Sequence, residues 1–202
     1  VSYKDIQGIN QKYKTKIVII GNILRENILN YSKINNDETI NKLSILVLGG
    51  SQAAKVFAEK LPDVFIKCKK NKMNFKIYQQ CLGEQEIDLQ KKYETNNISY
   101  ELFNFTFDII KYYSLANLVI TRAGSSALAE FLNCKIPIIS IPLASSSENH
   151  QFKNAQYFSE RGFGIMLEEK DINDDLFNLL QSIHKDKSML KRIETNQKKH
   201  SD

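Results

Sequence analysis

Short, nearly unbroken apolar runs punctuate this chain at Lys16–Ile20, Leu43–Leu48, Asn117–Thr121 and Ile136–Ile141. They are rich in β-branched residues and do not alternate with polar ones. That pattern predicts strands covered on both faces, the habit of parallel sheets. Phe75–Tyr78 and Ile98–Leu102 alternate more and are expected nearer the edges. Between these runs, apolar residues fall at helical spacing over Ala53–Leu61, Glu84–Tyr93, Phe107–Leu115, Ser125–Asn133 and Asn149–Arg161, the last stopped by Gly162 as a C-cap. Asp171 to about His200 reads as two further helices, and Val1–Lys14 as an irregular lead-in. Strand–helix alternation of this kind predicts an α/β fold with a doubly wound parallel sheet, Rossmann-like, with helices on both faces.

Two of the strands run through glycine into a helix start. One is Ile45-Leu46-Val47-Leu48-Gly49-Gly50-Ser51-Gln52, the other Arg122-Ala123-Gly124-Ser125-Ser126-Ala127-Leu128-Ala129-Glu130. Helix starts carry unpaired N–H groups and partial positive charge, so they attract phosphate. In a doubly wound sheet, ligands sit beyond the carboxyl ends of the strands, where Gly49, Gly50 and Ser51 fall. The first turn lacks the Lys-Ser/Thr of a Walker loop and the spacing of a dinucleotide fingerprint, and a plain strand-to-helix turn also uses Gly and Ser. The second motif places Ser126, Glu130 and Asn133 on one stripe, setting Glu130 one turn behind the phosphate end. A carboxylate there suits two adjacent hydroxyls, as on a ribose; the plainer role is a surface glutamate favouring the helix dipole.

A third polar cluster follows the strand ending near Pro142. Ser145 and Glu148 have capping-box spacing, and Gln151 and Asn154 are helical neighbours with His150 beside them. Neutral amides both donate and accept, which suits a sugar, although first-turn polar residues are common. Two look-alikes carry less. Asn173-Asp174-Asp175 resembles an acidic metal motif but stands where acids cap helices, and Lys67-Cys68-Lys69-Lys70 reads as a solvated helix end.

Composition narrows the classes. The 202 residues suffice for one sizeable core, and 42% hydrophobic with 25% charged is ordinary for a globular protein. The +5 charge fits an anionic ligand or a weak pull toward an acidic membrane surface, and falls short of a nucleic-acid signature. Three widely spaced cysteines without a Cys-x-x-Cys pair argue against structural zinc or a disulfide framework and for a reducing compartment. No apolar run approaches the about 20 residues needed to span a bilayer. The start does not resemble a signal peptide, and Val1 in place of Met suggests a piece of a longer protein.

Taken in order, Gly21-Asn22-Ile23-Leu24-Arg25, Gly49 to Ala54, Arg122 to Glu130 and His150-Gln151-x-x-Asn154-Ala155 resemble the carboxyl-terminal half of the MurG family. These are bacterial GT-B enzymes that move GlcNAc from UDP-GlcNAc to the lipid-linked MurNAc-pentapeptide of peptidoglycan synthesis. The resemblance covers about Thr15 to Lys170. It implies a donor domain over residues 15–202 after a lead-in or interdomain segment at 1–14. It further implies that Ser51, Gln52, Gly124, Ser125 and Ser126 line the diphosphate, with Arg25 near it at the interdomain edge. Glu130 would hold the ribose, the backbone at Phe105 and Thr106 the uracil edge, and His150, Gln151 and Asn154 the GlcNAc hydroxyls. Helix ends then neutralise the leaving UDP, so no metal and no cofactor is implied. The implied partners are UDP-GlcNAc, the lipid acceptor through an amino-terminal domain that also carries the catalytic base, and the anionic cytoplasmic face of the inner membrane.

Three positions depart from the family pattern: Ile23 replaces Pro, Ala53 replaces Gly, and Ala127 stands where Thr is common. Ala53 adds a methyl where the backbone approaches the ligand, and weaker donor binding is expected. Three other readings stay open on sequence: a stand-alone subunit of a two-component transferase, a UDP-sugar epimerase half, and a nucleotide-binding module that has lost its chemistry.

Overall fold

A computed structural model describes residues 10–18, 21–31, 42–143 and 149–201, apart from the side chains of 51–54 and 201. The sheet is six-stranded with every pairing parallel. Its strands are β1 (Leu43–Leu48), β2 (Phe75–Gln80), β3 (Ser99–Phe103), β4 (Leu118–Thr121), β5 (Ile138–Ser140) and β6 (Gly164–Met166), in the order β3-β2-β1-β4-β5-β6. The chain winds outward from β1 in one direction, then returns to start again at β4 on its other side. That reversal opens a crevice between β1 and β4.

Helices cover both faces. They are α1 (Glu26–Leu29), α2 (Gly50–Lys70), α3 (Gly83–Thr95), α4 (Ile109–Leu115), α5 (Ser125–Cys134), α6 (His150–Glu160), α7 (Phe177–Lys185) and α8 (Ser188–Ser201). Period-2 strand geometry splits the β1 side chains: Leu43, Ile45 and Val47 join Phe57, Leu61 and Phe65 of α2 in one core. Leu46 points the other way, into a core with Val119, Leu128, Phe131 and Phe158. The β1 and β4 runs are buried throughout except at Leu48, which explains their lack of alternation.

Helix α2 is longer than the expected Ala53–Leu61 and runs through Pro62 to Lys70. Proline removes one helical hydrogen bond and crowds the preceding turn. Here Leu61, Val64, Phe65 and Cys68 are all buried against the sheet, and that apolar stripe carries the helix through to Lys70. Strand β6 has no counterpart in the hydrophobic pattern. Its Gly164 lies so close to β5 that a Cβ would come within 2.9 Å of the Ile138 carbonyl oxygen.

The lead-in requires a correction. Lys16–Ile20 is expected as a strand, yet Gln11–Lys16 forms a 3-10 helix, and Ile17 and Val18 belong to no strand. Val18 is 69% exposed, so this apolar run lies outside both cores; Ile19 and Ile20 fall outside the described residues. What anchors the front of the chain is α1. Four residues cannot hold a helix alone. Ile28 is fully buried in the second core, and Asn133 on α5 donates to the Ile28 carbonyl at 2.7 Å.

The end of the chain is tied across the sheet. Buried Gln197 on α8 donates to the carbonyls of Ile136 and Phe163 at 3.0 and 2.8 Å, and the His200 ring packs on Phe163. Gly162 ends α6 at φ +69°, as its expected capping role requires. Cys68, Cys81 and Cys134 are free and buried. Lys67 and Asp174, one from each look-alike motif, pair with each other at 3.2 Å on the surface.

Candidate functional site

A cavity of about 520 Å³ lies at the carboxyl ends of the strands. Every strand from β1 to β5 sends residues to its wall. Leu48, Gly49 and Gly50 leave β1, Gln80 ends β2, Phe103, Phe105 and Thr106 follow β3, and Thr121, Arg122 and Gly124 follow β4. Leu143 and Gln151 close one side, Ala127 lies on α5, and Arg25 reaches in from the rim. Its volume lies within the range of small-ligand pockets.

Leu48 and Thr121 are register partners, so the two glycine turns leave adjacent strands at the point where the winding reverses. Gly49 and Gly124 are the N-caps of α2 and α5, and neither offers a side chain to its helix. A helix start without a capping side chain can offer its first-turn N–H groups to an incoming anion. Each helix start is equivalent to roughly half a positive charge. Gly50 has φ +65°, a left-handed backbone that lets β1 turn sharply into α2. Together the two starts can hold an anion with two phosphate-like centres.

Of the residues singled out from sequence, Arg25, Phe105, Thr106, Gly124 and Gln151 line the cavity. Phe105 is 72% exposed and meets Phe107 edge-on at 5.0 Å, while the Thr106 hydroxyl accepts from the Asp108 N–H at 3.1 Å. Ser51 and Gln52 fall in the first turn of α2, but their side chains, like those of Ala53 and Ala54, are outside the described residues. Ser125 and Ser126 form the first turn of α5 without reaching the wall, and His150 is exposed at the start of α6. The Ser145–Glu148 capping-box spacing also lies outside the described residues.

The amides of α6 act first as tethers. Gln151 Oε1 accepts the Leu143 N–H at 3.0 Å, and Asn154 Nδ2 donates to the Ala123 carbonyl at 3.0 Å. The stripe on α5 likewise divides. Ser126 is exposed, Asn133 anchors α1, and Glu130 sits between them behind the cavity wall. Its carboxylate accepts Arg25 Nη2 at 3.0 Å on both oxygens and the Tyr113 hydroxyl at 2.7 Å on Oε2. The Glu130 side chain is 15% exposed and that of Arg25 54%, so the guanidinium covers the carboxylate from the solvent side. Burial, reinforced by the hydrogen bond to Glu130, pushes the Tyr113 phenol above its ordinary range and keeps it a neutral donor.

Sequence reasoning passed over Arg122. Its side chain is only 7% exposed, and its guanidinium stacks over the Phe57 ring at 4.8 Å. Nη1 lies 2.7 Å from Glu169 Oε2, yet its aligned hydrogen bonds go to the carbonyls of Ile141 and Pro142 at 3.2 and 3.4 Å. Glu169 thus holds Arg122 by charge more than by a directed bond. One buried cation joins the ends of β4 and β5 to the turn after β6. The signal was a lone arginine ending an apolar strand just before a glycine turn.

Among the described residues, no group of three or more His, Cys, Asp or Glu side chains is arranged to hold a metal ion. None of the described helices is long and apolar enough to cross a membrane.

An all-parallel sheet wound outward from β1 and β4, with its cavity at the reversal, defines a Rossmann-like domain of the GT-B kind. The model of the family described as "Glycosyltransferase family 28 C-terminal domain" matches residues 44–202, and the chain belongs to that family. A UDP-N-acetylglucosamine--N-acetylmuramyl-(pentapeptide) pyrophosphoryl-undecaprenol N-acetylglucosamine transferase of Pelagibacter ubique (strain HTCC1062) is 38% identical over 173 residues, covering 85% of this chain and 48% of that protein. The protein of the same name from Rickettsia canadensis (strain McKiel) is 36% identical over 176 residues, covering 86% and 49%. The crystal structure of Acinetobacter baumannii MurG superposes with a TM-score of 0.73 at 24% identity, over 86% of this chain and 50% of that one, a likeness of fold. The chain spans about half the length of the curated relatives it matches.

Proposed function

We propose that this chain is the UDP-GlcNAc-binding half of an inverting glycosyltransferase that transfers GlcNAc to the lipid-linked MurNAc-pentapeptide. The observation that carries the reading is the meeting of two uncapped glycine helix starts at one cavity, on the β1–β4 crevice. The names of the relatives supply the substrate class.

In this reading the first turns of α2 and α5, with Ser51, Gln52, Gly124, Ser125 and Ser126, hold the diphosphate, and Arg25 adds its charge from the rim. As the anomeric carbon–oxygen bond breaks, negative charge grows on the departing UDP, and fixed N–H dipoles stabilise it without reorganising. Glu130 binds the ribose diol, and the backbone at Phe105 and Thr106 meets the uracil edge. His150, Gln151 and Asn154 face the sugar. The attacking hydroxyl belongs to the acceptor, and the base that takes its proton lies outside these residues. Residues 15–202 form the donor domain in this assignment and 1–14 the interdomain segment. The mild positive charge supports peripheral contact with an anionic cytoplasmic membrane face.

The test is a titration of the chain with UDP-GlcNAc, UDP-GalNAc and UDP-glucose, with and without EDTA. Saturable binding that favours UDP-GlcNAc, survives EDTA and weakens roughly tenfold or more in Glu130→Ala is expected. Absence of binding by every UDP species would discard the donor-site reading in favour of a nucleotide-free interaction module.

A further inference from the structure

The described structure gives Glu130 two partners of opposite character. Tyr113 approaches from inside the protein: it is 2% exposed, packed on Phe131 at 5.1 Å, and its hydroxyl lies 2.7 Å from Oε2. Arg25 approaches from outside, through a single nitrogen 3.0 Å from each oxygen. A carboxylate has about four acceptor directions. The inner one is taken by a rigid, buried donor, and the outer ones by a long side chain that is half exposed.

We propose that Tyr113 is a positioning residue of the nucleotide site. Its hydroxyl pins Oε2 and so fixes the plane in which Glu130 meets a ribose diol, while Arg25 covers the outer lone pairs only until the diol replaces it. The inference rests on the ribose reading of Glu130 given above and adds what orients that carboxylate. The exchange needs no backbone movement. Arg25 sits just before α1, which Ile28 and the Asn133–Ile28 bond hold in place, and its guanidinium already lines the cavity. Ribose hydroxyls arriving at Glu130 free that guanidinium for the diphosphate. Two O–H donors then replace one shared N–H, and the charge of Arg25 passes to another anion.

The test compares UDP with 2′-deoxyuridine 5′-diphosphate by calorimetry, using the whole chain. The unaltered protein is expected to prefer UDP by roughly tenfold, the scale of one hydrogen bond to a charged group. Tyr113→Phe, which keeps the ring and its packing, lowers that ratio to roughly threefold or less. Arg25→Ala weakens both ligands and keeps the ratio. Glu130→Asp retracts the carboxylate from the diol and the Tyr113 hydroxyl alike, lowers the ratio whatever Tyr113 does, and so marks the floor against which Tyr113→Phe is read. A purely structural role for Tyr113 would lower the melting temperature and leave the ratio alone. An unchanged ratio in Tyr113→Phe, or a ratio that falls as far in Arg25→Ala as in Tyr113→Phe, overturns the positioning role while the donor-site reading stands. Failure of the unaltered chain to bind UDP at all overturns both.

Discussion

Leu48 and Thr121 face each other across the β1–β4 ladder, and a glycine turn leaves the sheet just beyond each of them. Pairing at the strand ends, rather than any side-chain contact, is what points α2 and α5 at a common space. The anion binding proposed for this site would therefore follow from the sheet register.

The two turns use glycine for different reasons, and substitution separates them. Gly50 has φ +65°, so Gly50→Ala is expected to cost about 1–2 kcal/mol in chemical denaturation. Gly124 has φ −67°, with nothing within 4 Å of where a Cβ would stand. Gly124→Ala should lose less than about 1 kcal/mol, yet the methyl faces the cavity and should weaken UDP binding severalfold. Equal stability losses would contradict this division.

Arg122 and Glu169 form a charged pair in which Arg122 is buried and Glu169 partly so. Glu169→Ala leaves a buried guanidinium facing only carbonyls and a ring, and a loss of about 3 kcal/mol is expected. The pair also predicts coupling: Arg122→Met with Glu169→Ala should be more stable than the sum of the separate losses implies. Strict additivity in urea denaturation would mean that the charges do not communicate.

Asn133 controls how firmly the Arg25 segment is held. Losing its bond to Ile28 should cost about 1 kcal/mol locally. In Asn133→Ala, trypsin cleavage after Arg25 is expected to speed roughly fivefold with little change in global melting. An unaltered cleavage rate would show that Ile28 alone anchors α1.

Burial pushes the thiols of Cys68 and Cys134 up to about 12, with the charge of Glu130 adding to the shift of Cys134. In the unfolded chain they ionise near pH 9. Above that pH the folded state holds protons that the unfolded state has released, so stability falls as pH rises. By pH 10 the loss is on the order of 1 kcal/mol per thiol. Melting measured at pH 8 and pH 10 should show the drop, and replacing both cysteines with alanine should reduce it, the remainder coming from Cys81 and the buried tyrosines.

Local chemistry explains which parts of the molecule were readable. Buried strands such as Leu43–Leu48 announced themselves as unbroken apolar runs, whereas Ile17 and Val18 of the equally apolar Lys16–Ile20 run belong to no strand because neither core reaches them. The glycine turns announced themselves because backbone geometry demands that residue type, at least at Gly50. Beyond that, partners decide. The expected helix stopped at Leu61 because a local pattern cannot see the stripe from Leu61 to Cys68 packing on a distant sheet. Glu130 looked open because its companion Arg25 lies far upstream in sequence. Asn133 looked like part of a ligand stripe until α1 packed onto it. Arg122 was overlooked because a buried charge makes sense only once Glu169 and the Pro142 turn stand around it.

The turn geometry at Gly49 and Gly124 leaves a last consequence for how such a protein tolerates change. The groups proposed to meet an anion there are main-chain N–H groups, which every residue but proline supplies. Side chains around this crevice can change without dismantling it, as Ala127 on its wall illustrates where the family pattern commonly has Thr. Such a cradle outlasts much of the spelling that surrounds it.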